Sequence, residues 1–127
     1  VGLAKTDENL SGFPGATHGG VIAAYLDEVL WHQTKRENFH VDAMTVHEEV
    51  EFLAPVPEGA EVTVVALPAE VDGLHYYVKG ALLLADGTIA ATGFAPYIRL
   101  RSENRISAEE KVRILHPSDA ELEEVYF

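Results

Sequence analysis

Between residues 21 and 31 the apolar side chains Val21, Ile22, Ala24, Tyr25, Leu26, Val29, Leu30 and Trp31 cover most of a helix's circumference instead of forming one stripe. A helix that is apolar on nearly every side has to be wrapped by the rest of its chain. The spacing predicts a central helix over 21–34, with Lys35 and Arg36 suiting the negative end of its dipole and Asn38 as its stop. Six apolar residues precede its first acid, Asp27. An unpaired carboxylate in such surroundings is costly, and a poorly solvated one makes a good base. Ahead of the helix, Gly12 to Gly20 is a loop rich in small residues. It opens onto a helix start whose free N–H groups and positive dipole end can hold a carbonyl oxygen or an anion.

After the helix the period changes to two. Met44, Val46, Val50 and Phe52 alternate with Thr45, His47, Glu49 and Glu51, which predicts one strand with the first set on the core face and the second wet. Glu48 breaks that pattern. Pro55-Val56-Pro57-Glu58-Gly59 is a turn, 62–67 a β-branched strand, and Pro68 marks a bulge or an edge. Asp72-Gly73 and Asp86-Gly87 are turn signals bounding strands over 74–84 and 88–100. Two capping boxes, Ser107-Ala108-Glu109-Glu110 and Ser118-Asp119-Ala120-Glu121, open short helices with His116-Pro117 between them. The expected architecture is α+β over a single domain, 1–127: a curved antiparallel sheet wrapped around a long helix, with a helical extension over 106–127. Lys5-Thr6-Asp7-Glu8-Asn9 shows no strand alternation, so no strand is expected ahead of the helix.

The composition narrows the function classes. With 9 basic and 21 acidic residues the net charge is −12, which opposes attraction to phosphate backbones and argues against nucleic-acid binding. An anionic small ligand would need local cations such as Lys79, Arg99, Arg101 or Arg105 at its entry. No apolar run approaches the roughly 18 residues of a membrane span. The chain has no cysteine, hence neither disulfide nor thiolate chemistry, which fits a reducing, cytoplasmic interior. His47-Glu48-Glu49 with His32, His40, His75 and His116 does not reproduce His-Glu-x-x-His on a helix, so no metal is expected. No serine sits in a nucleophile elbow, and the glycine-rich loop lacks the lysine of a phosphate-binding loop.

Gly15-x-x-His18-Gly19-Gly20, Asp27 nine residues after the histidine, Thr45, and the strand ending Phe52-x-x-Pro55-Val56-Pro57-x-Gly59 together resemble the hotdog-fold acyl-CoA thioesterases of the phenylacetate-pathway (PaaI-like) type. The resemblance covers roughly Gly12 to Leu100. It implies a hotdog fold, thioester hydrolysis and no cofactor. It also implies that Gly19 donates its N–H to the thioester carbonyl, with Gly20 beside it, that Asp27 is general base or nucleophile, and that Thr45 positions water. The chain departs from the family in having Gly12 where some members place a catalytic asparagine, and in lacking the family's strand ahead of the helix.

His18 reads as a cap on the helix start or as a contact to substrate, and Glu28 as a solvated or ion-paired neighbour of Asp27 or as an alternative base at the substrate. Tyr25 and Trp31 read as core. The oxyanion donor and the base must converge within about 3 Å of the same atoms, yet Gly19 and Asp27 lie eight residues apart on one helix, about 12 Å at 1.5 Å per residue. The expectation is a homodimer or homotetramer in which Gly19 of one subunit faces Asp27 of another, as the family's composite sites imply. A hotdog dehydratase or hydratase, and a domain that binds acyl-CoA without cleaving it, are the alternative readings.

Overall fold

The computed structural model describes residues 1–37 and 42–100. Asn38, His40, Arg101, Arg105, His116 and the two capping boxes of the expected C-terminal extension lie outside the described residues. The elements in chain order are β1 (Gly2–Lys5), a 3-10 turn (Glu8–Leu10), β2 (Ser11–Phe13), β3 (Ala16–Thr17), α1 (Gly19–Glu37), β4 (Ala43–Thr45), β5 (Glu49–Phe52), β6 (Glu61–Ala66), β7 (Glu70–Asp72), β8 (His75–Leu84) and β9 (Ile89–Arg99). Seven of the strands form one antiparallel sheet in the order β1-β6-β8-β9-β4, with β5 also on β9 and β7 also on β8, and β2 and β3 form a small hairpin. Helix α1 contacts β4, β6, β8 and β9, so the sheet wraps it. This is the hotdog arrangement.

Three expectations are corrected. A strand does precede the helix: β1 pairs with β6 from Gly2↔Val64 to Lys5↔Glu61, and as an edge strand with only alternate residues half-buried it carries little hydrophobic pattern. The strand expected over 44–52 is two short strands, and the phase of its first half is reversed. Ala43 is buried while Met44 and Val46 are 54% and 52% exposed; Val50 does pack on the core, whereas Phe52 is exposed. Finally, Pro68 neither bulges nor edges a continuous strand but separates β6 from β7, a strand whose Glu70-Val71-Asp72 sequence is exposed throughout.

The helix can lie close on the sheet because the strands are nearly bare where it crosses them. On β9 the residues facing it run Ala91, Gly93, Ala95, Tyr97, all buried, and Gly80 on β8 pairs directly with Gly93. A Cβ on Gly93 would sit 3.3 Å from methyl carbons of both Leu26 and Leu30, and one on Gly80 would come 2.6 Å from Leu30 and 2.4 Å from the Val65 carbonyl oxygen. Leu26 and Leu30, fully buried, occupy the space those two glycines vacate. Beyond this contact the core is completed by Ile22, Tyr25, Val56, Val62, Val64 and Leu82 at one end and by Ala43, Tyr76, Val78 and Tyr97 at the other.

The far end of the helix is fastened to β4 by polar contacts. The Trp31 indole N–H donates to the Ala43 carbonyl at 2.7 Å, and Lys35 pairs with Asp42 at 2.6 Å while lying over the Trp31 ring. Gly80→Ala should lower the free energy of unfolding by about 1–3 kcal/mol, since its Cβ would meet backbone that cannot yield, while Ala81→Val on the opposite face stays within about 0.5 kcal/mol. Urea midpoints of the two variants check this; equal midpoints would contradict the close packing.

Candidate active site

Asp27 sits half-buried near the middle of α1, over the place where β4 meets β9. There Thr45 and Tyr97 are directly opposed across the two strands, so both hydroxyls face the helix. Thr45 Oγ1 donates to Asp27 Oδ1 at 2.9 Å. The Tyr97 hydroxyl lies 3.3 Å from the same oxygen and 3.1 Å from the Asp27 main-chain carbonyl, close enough for its one proton to serve either. Asp27 is therefore a partnered carboxylate, held by two hydroxyls from the sheet. Burial first, then the negative charge of Asp27, raises the Tyr97 phenol far above its ordinary range, so it stays a donor at every working pH.

A second carboxyl joins this place. Thr45 pairs with Tyr97, and Glu49 pairs with Phe94, so residues 46–48 lie opposite only residues 95 and 96. The extra residue makes a β-bulge, with the Val46 N–H still bonded to the Pro96 carbonyl at 3.1 Å. Because side chains alternate, one inserted residue reverses the faces: Ala43 and Thr45 point at the helix before the bulge, Glu48 and Val50 after it. Glu48 Oε1 is buried and accepts no hydrogen bond from the described residues. Burial, and then the charge of Asp27, pushes the Glu48 carboxyl above the ordinary glutamate range. His47 and Glu49 point outward and pair with each other at 3.2 Å.

The helix start holds the other predicted residues. His18 N–H donates to the Leu10 carbonyl, and the His18 carbonyl takes the N–H groups of Val21 and Ile22 at 2.9 and 3.3 Å. The Gly20 N–H donates to His18 Nδ1 at 2.9 Å, which leaves the ring proton on Nε2. His18 thus caps the helix, and the Gly20 donor is engaged with it. The Gly19 N–H has no acceptor among the described residues, and a small cavity of about 340 Å³ lined by Thr17, Gly19, Ile22, Phe52 and Val56 opens beside it. The Phe52 ring lies over Gly19, 3.2 Å from where a Cβ would be. Gly12 backs onto His18, and a Cβ there would come 2.8 Å from the His18 Cα, so the asparagine of some relatives has no room on this backbone. Glu28 points away from Asp27's partners and pairs with His32 at 3.1 Å on the exposed side of α1.

The structure thus brings Asp27 and Thr45 together and keeps Gly19, Gly20 and His18 at the opposite end of the helix's apolar run, about two turns away. Larger depressions, of about 610 and 600 Å³, lie on the sheet face away from the helix around Lys79 and Phe94, remote from this chemistry. Among the described residues no group of three or more His, Asp or Glu is placed to hold a metal ion, and no helix is long and apolar enough to cross a membrane. Two residues of the site were missed from sequence. Tyr97 ends a buried row of small residues, a place where a phenol needs a partner, and Glu48 interrupts an alternation that two successive glutamates could not both satisfy.

A family model described as the thioesterase superfamily matches residues 14–91. The chain belongs to that superfamily. Among solved structures, a hypothetical protein of Staphylococcus aureus in complex with CoA aligns over 90% of this chain and 80% of its own, with 17% identity and a TM-score of 0.69. A Bacillus halodurans protein with CoA aligns over 77% and 69%, with 20% identity and a TM-score of 0.69. The E. coli PaaI protein of the phenylacetic acid degradation operon aligns over 78% and 70%, with 14% identity and a TM-score of 0.71. At these identities the likeness is one of fold. No curated protein matches the chain.

Tyr97→Phe and Asp27→Ala should be coupled, because each removes the contact between the Tyr97 hydroxyl and the Asp27 carboxylate. A double-mutant cycle on unfolding free energies is expected to give about 1–2 kcal/mol of interaction, and additive effects would contradict the contact.

Proposed function

We propose that the protein hydrolyses acyl-CoA or related acyl thioesters, with Asp27 as its base or nucleophile. The observation that carries this reading is a half-buried aspartate in the middle of a wrapped helix, held by the Thr45 and Tyr97 hydroxyls, in a chain of the thioesterase superfamily. As a base, Asp27 takes a proton from water while Thr45, which already donates to Oδ1, uses its own lone pairs to accept the water's other O–H. The Gly19 N–H, open and at the positive end of the helix, then receives the oxyanion formed at the thioester carbonyl. Gly20 supports this by fixing His18 and the shape of the helix start.

The two groups are too far apart on one helix to meet on one carbonyl, so the working site joins Asp27 of one copy to Gly19 of another. Support comes from the sheet's β4–β5 edge, which has no further strand among the described residues and carries exposed Met44, Val46, Phe52 and Leu53. An open edge with apolar side chains is suited to continuation by a second copy. Binding of the CoA portion agrees with the two CoA-bound neighbours of the same fold. Within one copy the partners of Asp27 are hydroxyls, not a histidine.

Free-thiol release from a panel of short, long and aromatic acyl-CoA thioesters tests the reading. Asp27→Asn should lower kcat/KM by about 10²–10⁴-fold with the fold intact, the range expected for loss of a positioned base. A wild-type protein that binds these thioesters and releases no thiol would be a binding module instead.

A further inference from the structure

The bulge between β4 and β5 does more than join two strands. Without the extra residue, continued alternation would put residue 48 on the outer face and an outward residue such as His47 or Glu49 toward the helix. With it, Thr45 and Glu48 both turn inward, flanking the aspartate, and one Glu48 oxygen is removed from solvent with no donor to meet it. A bulge that re-aims a glutamate into a buried place beside another carboxylate is costly unless the site uses it.

We propose that Glu48 is a positioning residue of the hydrolytic site: aimed inward by the bulge, its carboxyl keeps its proton beside an ionised Asp27, so that the pair carries a single negative charge and Asp27 remains the base. The proposal rests on the thioesterase reading. Burial and the charge of Asp27 both oppose ionisation of the Glu48 carboxyl. The asymmetry within the pair has a structural cause. Asp27 Oδ1 is met by the Thr45 and Tyr97 hydroxyls, whereas Glu48 Oε1 receives none. The other titratable groups facing this place are Tyr97 on β9, kept neutral, and Glu28 on α1, turned to His32; His47 and Glu49 on Glu48's own segment face outward.

The proton balance closes on Asp27 alone. Water gives one proton to Asp27 as its oxygen bonds the carbonyl carbon, and the C=O pair moves onto the oxygen at Gly19. When the C=O re-forms, the C–S bond breaks with its pair on sulfur, and Asp27 returns the proton to the thiolate. Glu48 keeps its proton throughout. If it ionised, a second negative charge would face the oxyanion and thiolate as they develop, and the rate would fall. Glu48 therefore sets the alkaline limit of the reaction.

Carbon-13 NMR of labelled glutamate carboxyls tests the pair whether or not thiol is released. In the wild type the Glu48 signal should titrate above the ordinary glutamate range, and in Asp27→Asn it should move down, because one cause of its shift is gone. The folded state then binds this proton more tightly than the unfolded chain, so its contribution to stability is full at low pH and is lost as pH rises through the Glu48 titration. Glu48→Gln should abolish that decline. In the pH profile of kcat/KM, Glu48→Gln should keep the acid limb and lose the alkaline one. A Glu48 that titrates as an ordinary glutamate, or an alkaline limb unchanged in Glu48→Gln, overturns the proposal. Absence of thiol release with a raised, Asp27-dependent Glu48 titration overturns the hydrolase reading alone.

Discussion

Everything in this molecule depends on how closely α1 approaches the sheet. Gly80 and Gly93 face each other across β8 and β9, and Leu26 and Leu30 fill the space above them. A Cβ at Gly80 would collide with the Val65 carbonyl and with Leu30, and one at Gly93 would press on both Leu26 and Leu30. Asp27 follows Leu26 directly, so the contact that seats Leu26 also fixes where the carboxylate stands above the β4–β9 junction. The short hydrogen bond from Thr45 and the longer one from Tyr97 are consequences of that seating. A mid-helix acid in an apolar wrap is tolerated because the sheet supplies hydroxyls where it lands.

The sheet supplies them through an irregularity. The two long strands, β8 and β9, each carry a pair of short partners on one side, β6 with β7 and β4 with β5. At the second of these interruptions the inserted residue changes which face each side chain takes. One strand can then offer Thr45 to the aspartate and Glu48 beside it, three positions apart, an arrangement that regular alternation forbids. The pair of acids gains unequal surroundings in the same step: hydroxyl donors for one, an unpartnered oxygen for the other.

Much of this was legible in the residues. The apolar circumference of 21–31 foretold a wrapped helix, and turn residues at 55–59, 72–73 and 86–87 separated the long strands correctly, because Gly and Pro act locally. Asp27 stood out as an acid after an apolar run, and Thr45 was found through the resemblance. What stayed hidden was set by pairing between distant segments. The bulge is a count of residues on β4–β5 against β9, visible only once the register is known, and it reversed the faces of Met44 and Val46 and concealed Glu48. Tyr97 lies within the strand expected over 88–100, and only the register places it opposite Thr45. The edge strands β1 and β7 have too little buried surface to leave a hydrophobic pattern.

The central claim is that a working site takes Asp27 from one copy and the Gly19 N–H from another, and subunit mixing measures it most directly. Asp27→Asn removes the base, and Gly19→Pro removes the donor at the first helical position, where proline is tolerated. Each variant alone should be inactive in thiol release. Unfolded together and refolded as an equal mixture, half of the dimers are hybrids with one intact site in two, so activity should return to about a quarter of the wild-type value. A mixture as inactive as its components, with hybrid dimers demonstrated by mass, would contradict the shared site.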